Sequence, residues 1–260
     1  MITVTEYSEQ VCYIEIDRPG KLNALDRETI EKMIDFLKAS ASSVQFNVLV
    51  ISGSNGFFSA GADLKWMKEG MTQTAEANIA DAQLFNQLYR QMAEYPKPII
   101  VRVDKGAYGG AIGLMACADV VITSPDAIFR FSETALGLIP ATVAPYIVKK
   151  VGNGNARYLL LSGHLFNGDD AMLYGLVHIL EPADTIETAT RETAIQMAAL
   201  GPKATQQTKK LLNQLDRATY NFDETTANMC ASLIASARTT NEGQEGVTAF
   251  FEKRKPNWNR

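Results

Sequence analysis

The sequence predicts an α/β fold on three observations. Short, nearly continuous apolar runs at 46–51 and Ile99–Val103 have the composition of strands buried on both faces. Stretches with apolar residues at helical spacing alternate with them. Glycine-rich segments stand where strand gives way to helix.

The elements follow in order. Cys12, Ile14 and Ile16 alternate with Tyr13 and Glu15, the period of a strand, and Asp17-Arg18-Pro19-Gly20 closes that run as a turn. Asp26 is placed to cap a helix whose Ile30, Met33, Ile34 and Leu37 share one face. The run 46–51 ends in Ser52-Gly53-Ser54-Asn55-Gly56. A second helix carries Leu84, Phe85, Leu88, Tyr89 and Met92 on one stripe and stops before Pro96-Lys97-Pro98, because proline disfavours helical geometry in the residue before it. After Ile99–Val103 come Gly106-Ala107-Tyr108-Gly109-Gly110-Ala111-Ile112-Gly113, an apolar helix to about Cys117, and short strands at Val120–Thr123 and 128–131. From Asp184 onward the pattern is almost wholly helical, with a break at Gly201-Pro202. The expected division is a core over 1–195 and a helical C-terminal region over 196–260 that docks on the core or on a neighbouring subunit.

Composition excludes several functions. Of 260 residues 46% are hydrophobic, too many for a disordered chain. A formal charge of −4 gives no footprint for nucleic acid. Three cysteines without a C-x-x-C argue against a disulfide scaffold and suit a reducing compartment. The two histidines, His164 and His178, cannot form H-E-x-x-H, and no metal site is expected. His164 reads as a loop residue and His178 as a core one. No secretory leader is visible, and no apolar run approaches the roughly 20 residues of a membrane helix. A soluble, cytoplasmic protein without a membrane partner is the expectation.

Two loops present backbone N–H groups at strand-to-helix junctions. The first is Phe58-Ser59-Ala60-Gly61-Ala62-Asp63-Leu64-Lys65-Trp66-Met67, where small residues admit a ligand to the main chain and Asp63 is placed to cap the next helix. The second is Tyr108-Gly109-Gly110-Ala111, at the start of an apolar helix whose first N–H groups have no intrahelical partner. Two such donors converging on one developing oxyanion would each contribute about 3–4 kcal/mol to transition-state stabilisation. Neither loop has the glycine spacing of a nucleotide-binding motif. Ser59-Ala60-Gly61 is half of G-x-S-x-G, but position 57 is Phe57, so Ser59 reads as a loop or packing serine.

With Ser132-Glu133-Thr134-Ala135-Leu136-Gly137-Leu138-Ile139-Pro140, these loops resemble the crotonase (enoyl-CoA hydratase/isomerase) superfamily. The resemblance begins at Asp17-Arg18-Pro19 and Leu22-Asn23-Ala24-Leu25, runs through Gly61-Ala62-Asp63-Leu64 and Gly109-Gly110, and ends at Phe251-Glu252-Lys253-Arg254-Lys255-Pro256. The segments 58–67 and 136–148 are most similar to bacterial methylglutaconyl-CoA hydratases of leucine breakdown. The resemblance implies a spiral of ββα turns with a helical C-terminal region, assembled as a homotrimer or a dimer of trimers. It implies an acyl-CoA substrate and no cofactor beyond the coenzyme A that the substrate carries. An oxyanion hole would form from the N–H groups of Ala62 and Gly110. Coenzyme A would lie against Ala24, Ala60, Asp63, Leu64 and Gly109, with Lys21 facing its phosphates.

Glu133 follows the apolar strand 128–131, so burial would raise its pKa toward the useful range. Alone it reads rather as a surface glutamate capping the next segment; the resemblance implies acid–base work. Many hydratases of this family carry a second glutamate three residues after the central glycine, where this chain has Gly113. One carboxylate suits a hydratase that takes a proton from water and returns it to carbon. It equally suits a double-bond isomerase, and a chain without catalysis would be an acyl-CoA-binding protein. Arg130 fits either an acidic substrate tail or a subunit contact. Asp119 reads as structural, and Lys253-Arg254-Lys255 as a solvated tail or a phosphate contact.

Overall fold

The computed structural model describes residues 1–217 and 224–259; the remainder of the C-terminal region 196–260 lies outside it. Strands β1 (Ile2–Ser8) and β2 (Val11–Ile16) form an antiparallel hairpin. Its two-residue turn holds Glu9 and Gln10 at φ 48° and 62°, the paired left-handed geometry that matches strand twist. Helix α1 (Arg27–Ser40) follows, then β3 (Val48–Gly53), β4 (Phe57–Ser59), α2 (Leu64–Gly70) and α3 (Ala75–Glu94). Next come β5 (Ile99–Val103), β6 (Gly106–Tyr108), α4 (Gly110–Cys117), β7 (Val120–Thr123), β8 (Ile128–Arg130) and α5 (Ala144–Ser162). The chain continues through β9 (Leu165–Phe166), α6 (Gly168–Leu173), β10 (Ile179–Leu180), α7 (Ile186–Ala198), α8 (Pro202–Arg217), α9 (Glu224–Thr239) and α10 (Asn241–Phe251).

The strands sort into two sheets with the orders β1-β2-β3-β5-β7-β10 and β4-β6-β8-β9. The pairs β3/β4, β5/β6 and β7/β8 each place one strand in each sheet before the chain enters a helix, so three ββα turns stack as a spiral. Pairing is parallel from β2 to β10 and from β4 to β8, while β1 and β9 are antiparallel edge strands.

Burial explains the sequence pattern. β3 is covered on both faces: Val48 and Val50 pack with Ile100 and Ile122 under Ile186, Ala194 and Ala198 of α7. Leu49 and Ile51 face the main core with Ile30 and Met33 of α1 and Leu88 and Met92 of α3. α4 is apolar on nearly every side because it runs through this core. Lys97 is fully buried, and its ammonium donates to the Ser40 and Ser43 carbonyls at 3.0 and 2.8 Å, closing the C-terminal end of α1. Burial pulls its pKa down to about 8. α8 docks through Lys209, paired with Asp119 at 2.6 Å and donating to the Lys97 carbonyl at 3.0 Å.

Three local expectations shift. The strand expected over 46–51 begins at Val48, and that over 128–131 ends at Arg130. Phe46 and Phe131 are buried all the same, because side-chain apolarity and ladder pairing are separate constraints. His178 is not a core residue. It is exposed at the edge of the sheet, where Nδ1 accepts from the Val121 N–H at 2.8 Å.

Candidate active site

Three parallel strands of the smaller sheet end side by side. β4, β6 and β8 pair in parallel, Phe57 with Gly106 and, past a register shift, Ser59 with Ala107, then Ala107 with Phe129 and Tyr108 with Arg130. Their C-terminal ends therefore deliver residues 60–63, 109–110 and 132–133 to one place, the end of a parallel sheet where ligands bind in α/β folds.

The first of these loops is stitched to 22–25. The Ala60 N–H donates to the Leu22 carbonyl at 2.9 Å, the Leu25 N–H to Gly61 at 2.7 Å, and the Asp63 N–H to Leu25 at 2.9 Å. This short parallel bridge pairs Leu25 with Ala62 through the neighbours of Ala62, which turns the N–H of Ala62 itself away from Leu25. Gly61 lies at φ 83°, and a Cβ there would sit 2.7 Å from the Tyr108 carbonyl and 3.5 Å from the Gly110 nitrogen. The two loops thus touch at a point that tolerates only glycine. Asp63 caps α2, accepting from the Lys65 and Trp66 N–H groups at 2.8 and 3.4 Å. Burial pushes its carboxyl up, but those donors and Arg18 outweigh it and hold Asp63 below its ordinary value.

The second loop turns at Gly109, whose φ of 50° and ψ of −125° lead into α4. The Gly109 N–H is held by the Arg130 carbonyl at 2.9 Å. Gly110 is the first residue of α4, so its N–H has no partner within the helix. From the third strand, Glu133 reaches across to Gly109, where a Cβ would meet its Oε1 at 3.1 Å. Its Oε2 is buried and has no hydrogen-bond partner. Burial raises the Glu133 carboxyl above its ordinary value, against the smaller opposing effect of its own and the Ser132 N–H groups.

Beside the first loop lies a cavity of about 380 Å³ lined by the cations Arg18, Lys21, Arg27 and Lys65, by the carboxylates Asp26, Glu28, Asp63 and Glu69, and by Trp66. Arg18 organises it, pairing with Asp26 at 2.8 Å and Asp63 at 3.0 Å. Lys21 and Leu64 are exposed, whereas Ala24 is buried beside the bridge. Arg18, Arg27 and Lys65 were not singled out from the sequence for this place. Their signal was weak, because isolated basic residues in turns and on short helices are ordinary surface features.

Ser59 is fully buried, its hydroxyl accepting from the Gly61 N–H at 3.2 Å, and neither histidine bonds to it. Arg130 is exposed and its Nε donates to the Gly163 carbonyl at 2.8 Å. Arg254 is paired with Glu245 and Glu252, both at 2.6 Å.

Residues 6–260 match the family described as Enoyl-CoA hydratase/isomerase. The chain belongs to that family. Among its enoyl-CoA hydratase/isomerase relatives, the 2,3-dehydroadipyl-CoA hydratase of Escherichia coli K12 is 29% identical over 98% of this chain and 97% of its own length. The crystal structure of an enoyl-CoA hydratase from Shewanella pealeana is 34% identical, with a TM-score of 0.91 over 99% of this chain and 94% of that one. Pseudomonas aeruginosa AtuE is 33% identical, with a TM-score of 0.93 over 100% and 99%. These relatives share the crotonase fold, and the family's acyl-CoA chemistry fits the polar, glycine-lined site described above.

Proposed function

We propose that the chain is an enoyl-CoA hydratase, a hydro-lyase that adds water across the double bond next to an acyl-CoA thioester. The observation that carries this reading is Glu133, a half-buried carboxylate set against Gly109, the N-cap of α4, with its buried Oε2 unpaired. In this reading the N–H groups of Ala62 and Gly110 donate to the thioester oxygen. Glu133 takes a proton from water as the water oxygen bonds to C3, and negative charge moves onto the thioester oxygen as an enolate. Protonated Glu133 then returns its proton to C2, giving the 3-hydroxyacyl-CoA and restoring the carboxylate. The balance closes with one water consumed and calls on no metal or redox group.

Coenzyme A would lie along Ala24, Ala60, Asp63, Leu64 and Gly109. Its phosphates would face Lys21, in the cavity that Arg27 and Lys65 also line. The likeness of 58–67 and 136–148 to methylglutaconyl-CoA hydratases makes methylglutaconyl-CoA the first acyl group to test. The assembly proposed is a homotrimer or a dimer of trimers in the cytoplasm, with the region 196–260 supplying docking surface. Phe250 and Phe251, 78% and 77% exposed on α10, support that assignment.

A second reading, double-bond isomerase, is favoured by the absence of a carboxylate at Gly113. The two separate in one assay. A hydratase removes the conjugated enoyl-thioester absorbance of crotonyl-CoA and methylglutaconyl-CoA, whereas an isomerase creates that absorbance from a 3-enoyl-CoA. Tight acyl-CoA binding with no turnover of any of them would favour a binding protein and overturn both.

A further inference from the structure

Tyr89 is fully buried on α3, and its side chain lies across the first turn of α4. Its hydroxyl donates to the Gly110 carbonyl at 2.8 Å. A Cβ on Gly110 would approach that hydroxyl to 2.9 Å, and a Cβ on Gly113 would approach the ring to 2.8 Å and Val143 to 2.7 Å. The two glycines, one helical turn apart, therefore form a bed for this ring. Phe85 and Tyr146 hold it from the sides at centroid distances of 6.0 and 5.4 Å. Burial, with Cys117 and Glu133 adding to it, keeps the phenol well above its ordinary pKa, so it stays protonated and donating.

The hydroxyl meets the main chain at the start of α4. Gly109 and Gly110 are consecutive glycines, and the N-cap residue Gly109 has no side chain with which to cap α4. The peptide that carries the Gly110 N–H has its own carbonyl, that of Gly109, held by the Ile112 N–H at 2.9 Å, and hydrogen bonds on the two neighbouring peptides bracket it. The Gly109 N–H donates to the Arg130 carbonyl at 2.9 Å on one side, and the Tyr89 hydroxyl donates to the Gly110 carbonyl at 2.8 Å on the other.

We propose that Tyr89 is a positioning residue for the reaction, its hydroxyl holding the Gly110 carbonyl, one peptide on from the Gly110 N–H, so that this N–H points at the thioester oxygen. This rests on the reading of Gly110 as an oxyanion donor. It also gives position 113 a role of its own: glycine there makes room for the ring that aims the donor.

The test is Tyr89→Phe, which keeps the ring and removes the hydroxyl. The expected result is a fall in kcat of about tenfold, less than the 10²–10³ seen when an oxyanion donor is deleted outright. KM should stay within about twofold, and the acid limb of the pH profile should be unmoved because Glu133 is untouched. The independent readout is the thioester carbonyl stretch of bound butyryl-CoA, a saturated ligand that cannot react. Wild type should lower that frequency relative to free butyryl-CoA, and Tyr89→Phe should recover part of the difference. A Tyr89→Phe enzyme with wild-type kcat and an undiminished carbonyl shift overturns the role of Tyr89 alone. A wild-type enzyme that shows no carbonyl shift overturns the oxyanion reading itself, and the proposal with it.

Discussion

Glu133 holds a charge in a place that disfavours it. Its carboxyl is raised by burial, and Oε2 has no hydrogen-bond partner. The ionised form costs stability that the protonated form does not. Folding is thus penalised as pH rises from the ordinary carboxylate range through the raised folded-state value. Glu133→Gln should raise Tm at neutral pH, with the gain shrinking as pH falls toward 4.5, the ordinary glutamate value. Calorimetry at two pH values checks this. The same shift sets the acid limb of kcat/KM above the range of an ordinary glutamate, since the base must be ionised to take a proton from water. A limb at or below the ordinary value would contradict the burial argument. Much of this was legible in the sequence, because an apolar strand preceding Glu133 implies desolvation. Tyr89 was not: it lies in the apolar stripe of α3, where a tyrosine that packs and one that also aims a peptide have the same periodicity.

The loops depend on glycine for geometric reasons that differ from one to the next. Gly61→Ala forces a Cβ at φ 83° to within 2.7 Å of a backbone carbonyl that cannot move aside, and should cost about 1–3 kcal/mol together with most of the activity. Gly113→Ala meets the buried Tyr89 ring and Val143 at 2.8 and 2.7 Å, an overpacking also worth about 1–3 kcal/mol. Denaturant titration of both variants measures these costs. Asp63→Ala removes the cap of α2 and should destabilise by about 1 kcal/mol, with a rise in KM because α2 borders the cavity that Lys21 lines. The caps at Asp26 and Asp63 and the faces of α1 and α3 could be read from spacing alone. β4 and β6, each of three residues, could not, since a run that short shows no alternation. Their pairing is set by the sheet they share with β8 and β9.

The molecule is a stack of ββα turns that brings distant segments to the ends of three parallel strands, and no motif by itself contains the site. Order along the chain was enough to recognise the family, because the segments at 61–64, 109–110 and 132–140 occur in the right sequence. The sequence carried less about the charged cavity beside Lys21, whose residues come from separate turns and helices. The assembly proposed for the chain predicts that sedimentation equilibrium gives three or six times the chain mass of 28.5 kDa, and a monomer would remove the role given to the C-terminal region. The chemistry as proposed rests on main-chain donors and one carboxylate, so incubation with a chelator should leave the rate unchanged. Its central claim is that Glu133 moves the proton. The most direct measurement is the hydration rate of crotonyl-CoA by Glu133→Gln beside wild type. A fall in kcat of about 10²–10⁴ with the fold intact by circular dichroism is predicted, and a rate within a few-fold of wild type would contradict it.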